Sequence, residues 1–228
     1  MRRYSPVGVE VHVTRLRMTG ASHMPLAELV PRIVEATQAL DDARCDVIVF
    51  HCTASSMEAG LAGERLVLDS MRSVTDASVA TTASASLAAM RALDLRRIAL
   101  FSPYIASTHD HERVFLEEAG IRVVGGRCLG LSGSDEYVSV TPAEWVQLAA
   151  LETPADADGV FLSCTNVHSP QVIELLEARL GRPVVTSNQA VLWHALRLCS
   201  LEDVVEELGS LYEIRHVTHE REDELAWR

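Results

Sequence analysis

Two stretches of this chain repeat one local pattern: Asp46-Val-Ile-Val-Phe-His-Cys52-Thr53 and Asp158-Gly-Val-Phe-Leu-Ser-Cys164-Thr165. In each stretch, an Asp precedes a short apolar run, and a Cys-Thr pair closes it. An apolar run of this length, bounded by polar residues, predicts a buried parallel strand with the Cys at its carboxyl end. Open α/β sheets bind ligands at that edge, so the repeat indicates two thiols that face one cleft.

The rest of the chain alternates short apolar runs with helical patterns, which is typical of βαβ units and a parallel sheet. Predicted strands cover residues 9–15, 46–52, 79–83, 97–103, 122–129, 159–164 and 183–188. Predicted helices cover residues 26–40, 63–75, 84–93, 108–119, 142–151, 170–180 and 189–198. The sequence Thr141-Pro142-Ala143-Glu144 matches a capping box with Pro at the first helical position, so it marks the start of a helix.

The repetition extends beyond the two cysteines. After each one come a helical pattern, a short strand (Val79-Ala-Thr-Thr or Val184-Val-Thr-Ser) and a second apolar helix. We therefore predict an α/β fold of two pseudo-symmetric, Rossmann-like halves, each a parallel sheet flanked by helices, with the active site in the cleft between them. Residues 1–94 and 187–228 form the first half in this interpretation, and residues 95–186 form the second.

The composition narrows the range of partners. The chain has 228 residues and a net charge of −12, which argues against nucleic acid as a partner. An anionic ligand would have to bind through local backbone N–H groups at helix N-termini. No apolar stretch is long enough to span a membrane, and no signal-peptide pattern follows the first residues. We therefore expect a cytoplasmic protein with no membrane partner. Five cysteines without close spacing fit a reducing compartment.

Sequence motifs for a bound metal or organic cofactor are missing. There is no Cys-x-x-Cys pair for a structural zinc, no Gly-x-Gly-x-x-Gly turn and no P-loop. His109-Asp110-His111 places its histidines at i and i+2, which point apart on a helix, so we interpret this run as a solvated face. We therefore expect neither a metal nor a cofactor.

Four stretches carry a resemblance to a known family: Cys52-Thr53-Ala54-Ser55, Ser102-Pro103-Tyr104, Ser163-Cys164-Thr165-Asn166 and Thr186-Ser187-Asn188-Gln189-Ala190. With them the chain resembles the aspartate/glutamate racemase superfamily, and within it the branch of maleate cis-trans isomerases and arylmalonate decarboxylases. Ectoine-utilisation proteins of the same superfamily share the last two stretches. The resemblance implies chemistry without a metal or organic cofactor, in a homo-oligomer.

The resemblance also implies roles for the motif residues. The two catalytic residues would be Cys52 and Cys164, and the residues around a substrate carboxylate would be Thr53, Ala54, Tyr104, Thr165 and Asn166. Arylmalonate decarboxylases resemble this chain with Gly in place of Cys52, and they keep one catalytic Cys. A two-cysteine site therefore favours an isomerase of the maleate type that acts on a small dicarboxylate. An arylmalonate decarboxylase-like lyase, an amino-acid racemase and a non-catalytic ligand-binding protein of the ectoine-utilisation type stay open as alternatives.

The two thiols suggest how the reaction would run. A thiolate is the reactive form of cysteine, and a free thiol has a pKa of about 8.5. Each motif Cys is expected to precede a helix N-terminus, whose dipole would lower that pKa. In an isomerase, Cys52 would add to one alkene carbon, and Cys164 would supply and recover the proton at the neighbouring carbon. In a racemase, one Cys would remove the α-proton and the other would return it from the opposite face.

One departure from the family lies at the start of the chain. Family members open with a strand that ends in a Pro-Ser-Ser-Asn-like turn, which contacts a substrate carboxylate. This chain begins near what resembles the second strand, residues 9–15. We expect either a start that is placed too late or a divergent, inactive member. We also expect an exposed edge or a groove beside residues 9–15, and hence a homodimer or larger assembly.

Overall fold

Helices and strands alternate along the chain in the computed structural model, which describes residues 2–17, 24–203 and 205–215. The helices are α1 (Leu26–Asp42), α2 (Thr53–Met57), α3 (Gly60–Arg72), α4 (Thr82–Ala92), α5 (Ala106–Glu118), α6 (Ser134–Ser139), α7 (Pro142–Glu152), α8 (Ile173–Leu180) and α9 (Ser187–Leu198). The strands are β1 (Val47–Phe50), β2 (Ser78–Thr81), β3 (Arg97–Ser102), β4 (Arg122–Cys128), β5 (Gly159–Leu162) and β6 (Val184–Thr186). Short 3-10 turns cover Arg2–Tyr4, Ser169–Val172, Glu206–Leu208 and Ser210–Glu213.

The described strands form two parallel sheets. One sheet pairs β1 with β2, and the other has the strand order β4-β3-β5-β6. The register places Phe50 beside Thr81 in the first sheet and Phe101 beside Leu162 in the second. Helices cover these sheets, and Phe101 is fully buried. The predicted class, an α/β fold with parallel sheets flanked by helices, is confirmed.

Local sequence explains where the helices next to the cleft begin. The side chain of Thr81 accepts a hydrogen bond from the backbone of Ser84 at the start of α4, and Thr186 does the same with Gln189 at the start of α9. Each is a reciprocal capping box, which satisfies backbone N–H groups that a helix start leaves free. The capping box predicted at Thr141 is also present. Because Thr81 and Thr186 end their strands, strand and helix join with no intervening loop.

Residues 9–15 do not form a strand, so that part of the prediction is wrong. In the described residues β1 pairs on one side only, with β2, and residues 8–16 run along a cavity whose other wall includes residues 43–52. The alternating sequence of residues 9–15 suits a strand, but no neighbouring strand of the described chain offers it a ladder of hydrogen bonds. The groove expected beside this segment is present.

Two smaller predictions also need correction. The strand predicted over residues 79–83 ends at Thr81, because Thr81 caps α4. The helix predicted over residues 170–180 begins as the 3-10 turn Ser169–Val172 and becomes α-helical only at Ile173. The part of the predicted first half beyond residue 215 lies outside the described residues.

We expect the chain to assemble as a homodimer or larger, because the outer edge of β1 and residues 8–16 leave backbone groups facing an open groove. Val13, which is 68% exposed, lies on this segment. Val13→Lys should shift the assembly toward monomer in light scattering, because a lysine on an edge blocks pairing. Val114→Lys, at an exposed position of α5, serves as the control. A stable 25.0 kDa monomer for the unchanged chain at micromolar concentration would contradict this expectation.

Candidate active site

Both motif cysteines line one cavity of about 1470 Å³. Three of the predicted substrate residues that line it follow strand ends, and the fourth lies on α2: Tyr104, Thr165, Asn166 and Ala54. The cysteines are close enough that a negative charge on Cys52 contributes to raising the pKa of Cys164. The structure therefore brings the two duplicated motifs to a single cleft.

Cys52 lies just after β1, at the end of the first motif, and lines the cavity. It is the residue before α2, it is half-buried, and its Sγ lies 3.4 Å from Ser55 Oγ. The backbone is extended here, with φ of −153°. Because α2 begins at the next residue, its first turn starts beside the thiol, as the sequence predicts. A half-buried thiol that faces a cavity is accessible to a ligand there.

Cys164 has a different environment, because it is 2% exposed and has a strained backbone. Its φ of +106° lies in a region that residues with a side chain rarely adopt. Its N–H donates to Ser187 Oγ at 3.1 Å, and its Sγ accepts from the Asn166 N–H at 3.3 Å. Strain of this kind persists only where surrounding contacts hold it, and it is enriched at functional sites. Here it turns the chain so that the Asn166 N–H faces the thiol.

The protonated thiol is the favoured form of Cys164. Burial raises its pKa to about 12, and hydrogen bonds from the Tyr104 hydroxyl and the Asn166 N–H offset only part of that effect. The predicted lowering of the pKa by a helix N-terminus is therefore wrong for Cys164. The reason is structural, since seven residues lie between Cys164 and Val172, the residue before α8, and the last of them belong to a 3-10 turn. A buried thiol with a high pKa is suited to donating a proton rather than to attacking as a thiolate.

Tyr104 completes the surroundings of the Cys164 thiol. Its ring is 4% exposed and meets the Tyr137 ring edge to face, with centroids 5.4 Å apart. Burial raises the pKa of Tyr104, so it stays a neutral phenol whose hydroxyl donates to the thiol. Tyr137 lies on α6 and also lines the cavity. The sequence pattern did not single out Tyr137, because α6 contributes no repeated motif.

Thr53 does not line the cavity, although it was predicted to bind substrate. Its side chain is fully buried, and its hydroxyl donates to Ser187 Oγ at 2.9 Å. Ser187 Oγ therefore accepts hydrogen bonds from both cysteine motifs, one from Thr53 and one from the Cys164 N–H. We missed this role for Ser187 in the sequence. The signal was there, because Ser187 in Val184-Val-Thr-Ser matches Thr82 in Val79-Ala-Thr-Thr.

The remaining predicted residues make contacts that shape the cavity wall. Asn166 Nδ2 donates to the Ser134 carbonyl at 2.9 Å, so this side chain holds the start of α6. The Thr165 carbonyl accepts a hydrogen bond from Asn188 Nδ2 at 3.2 Å. The Asn166 side chain thus contacts protein, whereas its backbone N–H donates to the Cys164 sulfur.

The His51 side chain contacts α9 and α4, the helices that directly follow β6 and β2. Its Nε2 lies 3.1 Å from Asn188 Oδ1, and its Nδ1 lies 3.3 Å from Thr82 Oγ1. Surrounding protein atoms lower the pKa of His51, although its surface is still exposed to the cavity, where water weakens that effect. A neutral imidazole, donating from one nitrogen and accepting at the other, fits both contacts. The tautomer is set by these partners.

No group of three or more His, Cys, Asp or Glu side chains within residues 2–17, 24–203 and 205–215 is placed to hold a metal ion. Nor does any helix of that part of the chain have the length and apolar character needed to cross a membrane.

Comparison with known proteins identifies the family. A family model described as arylmalonate decarboxylase matches residues 6–212. The arylmalonate decarboxylase of Bordetella bronchiseptica is 33% identical over 172 residues, which are 75% of this chain and 72% of that protein. The chain therefore belongs to the arylmalonate decarboxylase family, and the resemblance seen in the four sequence stretches is confirmed.

Two solved maleate isomerases have the same fold. The maleate isomerase Iso from Pseudomonas putida S16 superposes with a TM-score of 0.85 at 25% identity, over 90% of this chain and 85% of that one. A maleate cis-trans isomerase variant from Nocardia farcinica, with one cysteine changed to serine, superposes with a TM-score of 0.81 at 25% identity, over 88% and 84%. The relatives of this chain are thus enzymes of two kinds, isomerases and decarboxylases.

Ser187→Ala should destabilise the fold by about 1–3 kcal/mol, because it leaves the Thr53 hydroxyl and the Cys164 N–H buried without their acceptor. Urea unfolding followed by circular dichroism measures the change. Ser70→Ala changes a half-buried serine of α3 whose hydroxyl donates only to the Leu66 carbonyl of its own helix, and it should change stability by less than about 0.5 kcal/mol. Equal effects of the two substitutions would show that Ser187 does not join the motifs.

Proposed function

We propose that this protein is a cofactor-independent cis-trans isomerase of the maleate type, which acts on a small dicarboxylate through Cys52 and Cys164. The observation that carries the proposal is the contrast between two thiols in one cavity. Cys52 is half-buried beside Ser55, whereas Cys164 is buried and favours its protonated form. One thiol is therefore suited to attack, and the other is suited to proton transfer.

The first step uses the accessible thiol. As a thiolate, Cys52 attacks one alkene carbon and forms a C–S bond, while the π electrons move to the neighbouring carbon and into its carboxylate. The carboxylate then carries extra negative charge. Neutral donors near it are the Tyr104 hydroxyl and the backbone N–H groups around Asn166, which stabilise such a charge in a site of low polarity.

The second step uses the buried thiol. Cys164 gives its proton to the neighbouring carbon, which leaves a single C–C bond in a substrate held through sulfur to Cys52. Rotation about this bond changes the cis arrangement to trans. The Cys164 thiolate then takes the proton back, the electron pair re-forms the double bond, and the C–S bond breaks. The trans dicarboxylate leaves, both cysteines return to their first state, and no atom is gained or lost.

One relative supports the covalent step. The Nocardia farcinica maleate cis-trans isomerase variant contains a covalently bound succinylcysteine intermediate. Such an adduct is what a thiolate and one proton together make from maleate. The fold of this chain follows that isomerase over 88% of its length, so the same pair of thiols can be arranged in the same way.

A decarboxylase is the second candidate, and a specific observation favours it. The chain is 33% identical to an arylmalonate decarboxylase, which exceeds its identity to the two solved isomerases. In that reaction Cys164 would be the sole proton donor, and its protonated state fits this role equally well. The two proposals differ in the role of Cys52, which the isomerase needs and the decarboxylase does not.

The first test follows maleate and an arylmalonate by proton NMR with three variants. Cys52→Ser and Cys164→Ser should each lower the formation of fumarate by about 10²–10⁴-fold, because each removes a positioned reactive group. Cys128→Ser should leave the rate unchanged, since Cys128 ends β4 and does not line the cavity. If the unchanged protein decarboxylates the arylmalonate, makes no fumarate and keeps its activity in Cys52→Ser, the decarboxylase is the correct function.

The second test looks for the bond between substrate and Cys52. In Cys164→Ser water must supply the proton to the neighbouring carbon and no thiolate takes it back, so prolonged incubation with maleate should leave a covalent adduct of one substrate molecule per chain. Intact-mass and peptide mass spectrometry should locate this adduct on Cys52. Cys52→Ser, treated in parallel, should stay unmodified. An adduct confined to Cys199, which is exposed, would indicate non-specific addition and contradict the proposed step.

A further inference from the structure

A fully buried carboxyl group lies behind the second cysteine motif. Glu112 belongs to α5, is 0% exposed, and accepts a hydrogen bond from Ser163 Oγ at 2.5 Å through Oε1. Its other oxygen, Oε2, has no hydrogen-bond partner within the described part of the chain. Ser163 is the residue before Cys164, so a single hydrogen bond connects this carboxyl to the backbone that carries the thiol.

The surroundings of Glu112 favour the neutral acid. Burial raises its pKa to about 8, and the hydrogen bond from Ser163 only partly offsets the rise. The ionisable groups that respond to its charge are Cys164 and Tyr104, since a carboxylate at Glu112 raises the pKa of both. An uncompensated charge in an interior of low dielectric is strongly disfavoured, and it opposes a second negative charge nearby.

The elements packed against α5 carry few ionisable groups near Glu112. The helix α2 has no ionisable side chain, and one turn earlier on α5 His109 Nδ1 lies 2.8 Å from Ser102 Oγ. The ionisable residues of α3 and β4 are Glu64, Arg65, Asp69, Arg72, Arg122, Arg127 and Cys128. The pKa of Glu112 is set by its burial and by Ser163.

We propose that Glu112 is a positioning residue that works as a protonated acid, holding Ser163 and keeping the protein behind Cys164 uncharged so that this thiol can lose and regain its proton. The inference rests on the proposed role of Cys164 in proton transfer. Glu112 does not touch the substrate, because it is fully buried. Its effect is electrostatic and reaches Cys164 through the interior.

The proposed role of Glu112 predicts a specific dependence of Cys164 ionisation on pH. Below the pKa of Glu112 the carboxyl is neutral and leaves the Cys164 thiolate undisturbed. Above that pKa the carboxylate opposes the thiolate, so ionisation of Cys164 is delayed to higher pH. Glu112→Gln keeps an acceptor for Ser163 and stays neutral throughout. The variant and the unchanged protein should therefore agree at low pH and separate only on the alkaline side.

The experiment measures alkylation of Cys164 by iodoacetamide from about pH 6 to about pH 10, with each cysteine peptide quantified by mass spectrometry. At about pH 6 the two proteins should react at the same rate. At about pH 9.5, Cys164 in Glu112→Gln should react about 3–10-fold faster, which corresponds to a thiol pKa lower by up to about one unit. Cys128 in the same digest serves as the internal reference.

A matched control separates electrostatics from packing. Glu64 is also a buried glutamate: burial raises its pKa, and it accepts a hydrogen bond from Thr81 Oγ1 at 2.9 Å, but it is not among the groups that shift the pKa of Cys164. Glu64→Gln should leave the alkylation profile of Cys164 unchanged. A rate difference at every pH, or in both variants, would indicate a structural disturbance and overturn the proposal.

A stability measurement tests the protonation of Glu112 even if the substitution changes how accessible Cys164 is to the reagent. The pKa of folded Glu112 exceeds that of an unfolded glutamate, so its contribution is fully present at acidic pH and is lost as pH rises toward about 8. Over that range the unchanged protein should lose more thermal stability than Glu112→Gln. Equal pH slopes together with equal alkylation profiles would overturn the proposal. Neither measurement requires turnover. A failure to isomerise maleate would therefore reject the proposed function without deciding the role of Glu112.

Discussion

The arrangement of the cleft depends on two hydrogen bonds that meet at one oxygen atom. Ser187 Oγ accepts from the Thr53 hydroxyl and from the Cys164 N–H, so it joins the segment after β1, at the first residue of α2, to the loop after β5. Because Ser187 is the first residue of α9, the helix that follows β6 fixes both segments at once. The second bond also helps to hold the positive φ of Cys164. The hydrogen bonds of Asn188 to His51 and to the Thr165 carbonyl connect the same two stretches a second time.

Burial then gives two chemically similar residues different properties. Cys52 faces a cavity and is half-buried, whereas Cys164 lies beneath it with Tyr104 on one side and the Glu112–Ser163 pair behind. Desolvation disfavours charge on each of the groups around Cys164, so they are stable together only when most of them are neutral. A site that adds a thiolate to an alkene and then protonates the neighbouring carbon needs this division between an attacking thiol and a proton-holding thiol.

Much of the fold could be predicted from the sequence because local signals and burial agree there. The repeated Asp-apolar-Cys-Thr stretches became β1 and β5, and the Asp158 carboxylate accepts hydrogen bonds from the N–H groups of Arg96 and Arg97 at the start of β3. The capping box at Thr141 appeared as the spacing predicts. The meeting of Cys52 and Cys164 at one cavity followed from the repeat and from the parallel direction of the strands.

The remaining features of the fold and the site could not be predicted from the sequence, for physical reasons. The segment 9–15 has a strand pattern, but a strand needs a hydrogen-bonded neighbour, and pattern alone does not supply one. The high pKa of Cys164 arises from burial by residues far apart in sequence, and so does that of Glu112. Thr53 illustrates the same limit, because a hydroxyl beside a catalytic cysteine can face either substrate or protein.

The central claim is that two thiols act on neighbouring carbons of one substrate in a single cleft, and a crystal structure of Cys52→Ser with maleate tests it most directly. The account predicts that one alkene carbon lies about 3–3.5 Å from the Ser side-chain oxygen at position 52 and that the neighbouring carbon lies within a similar distance of Cys164 Sγ. Maleate bound with only Cys164 in reach, or bound away from both positions, would contradict the account.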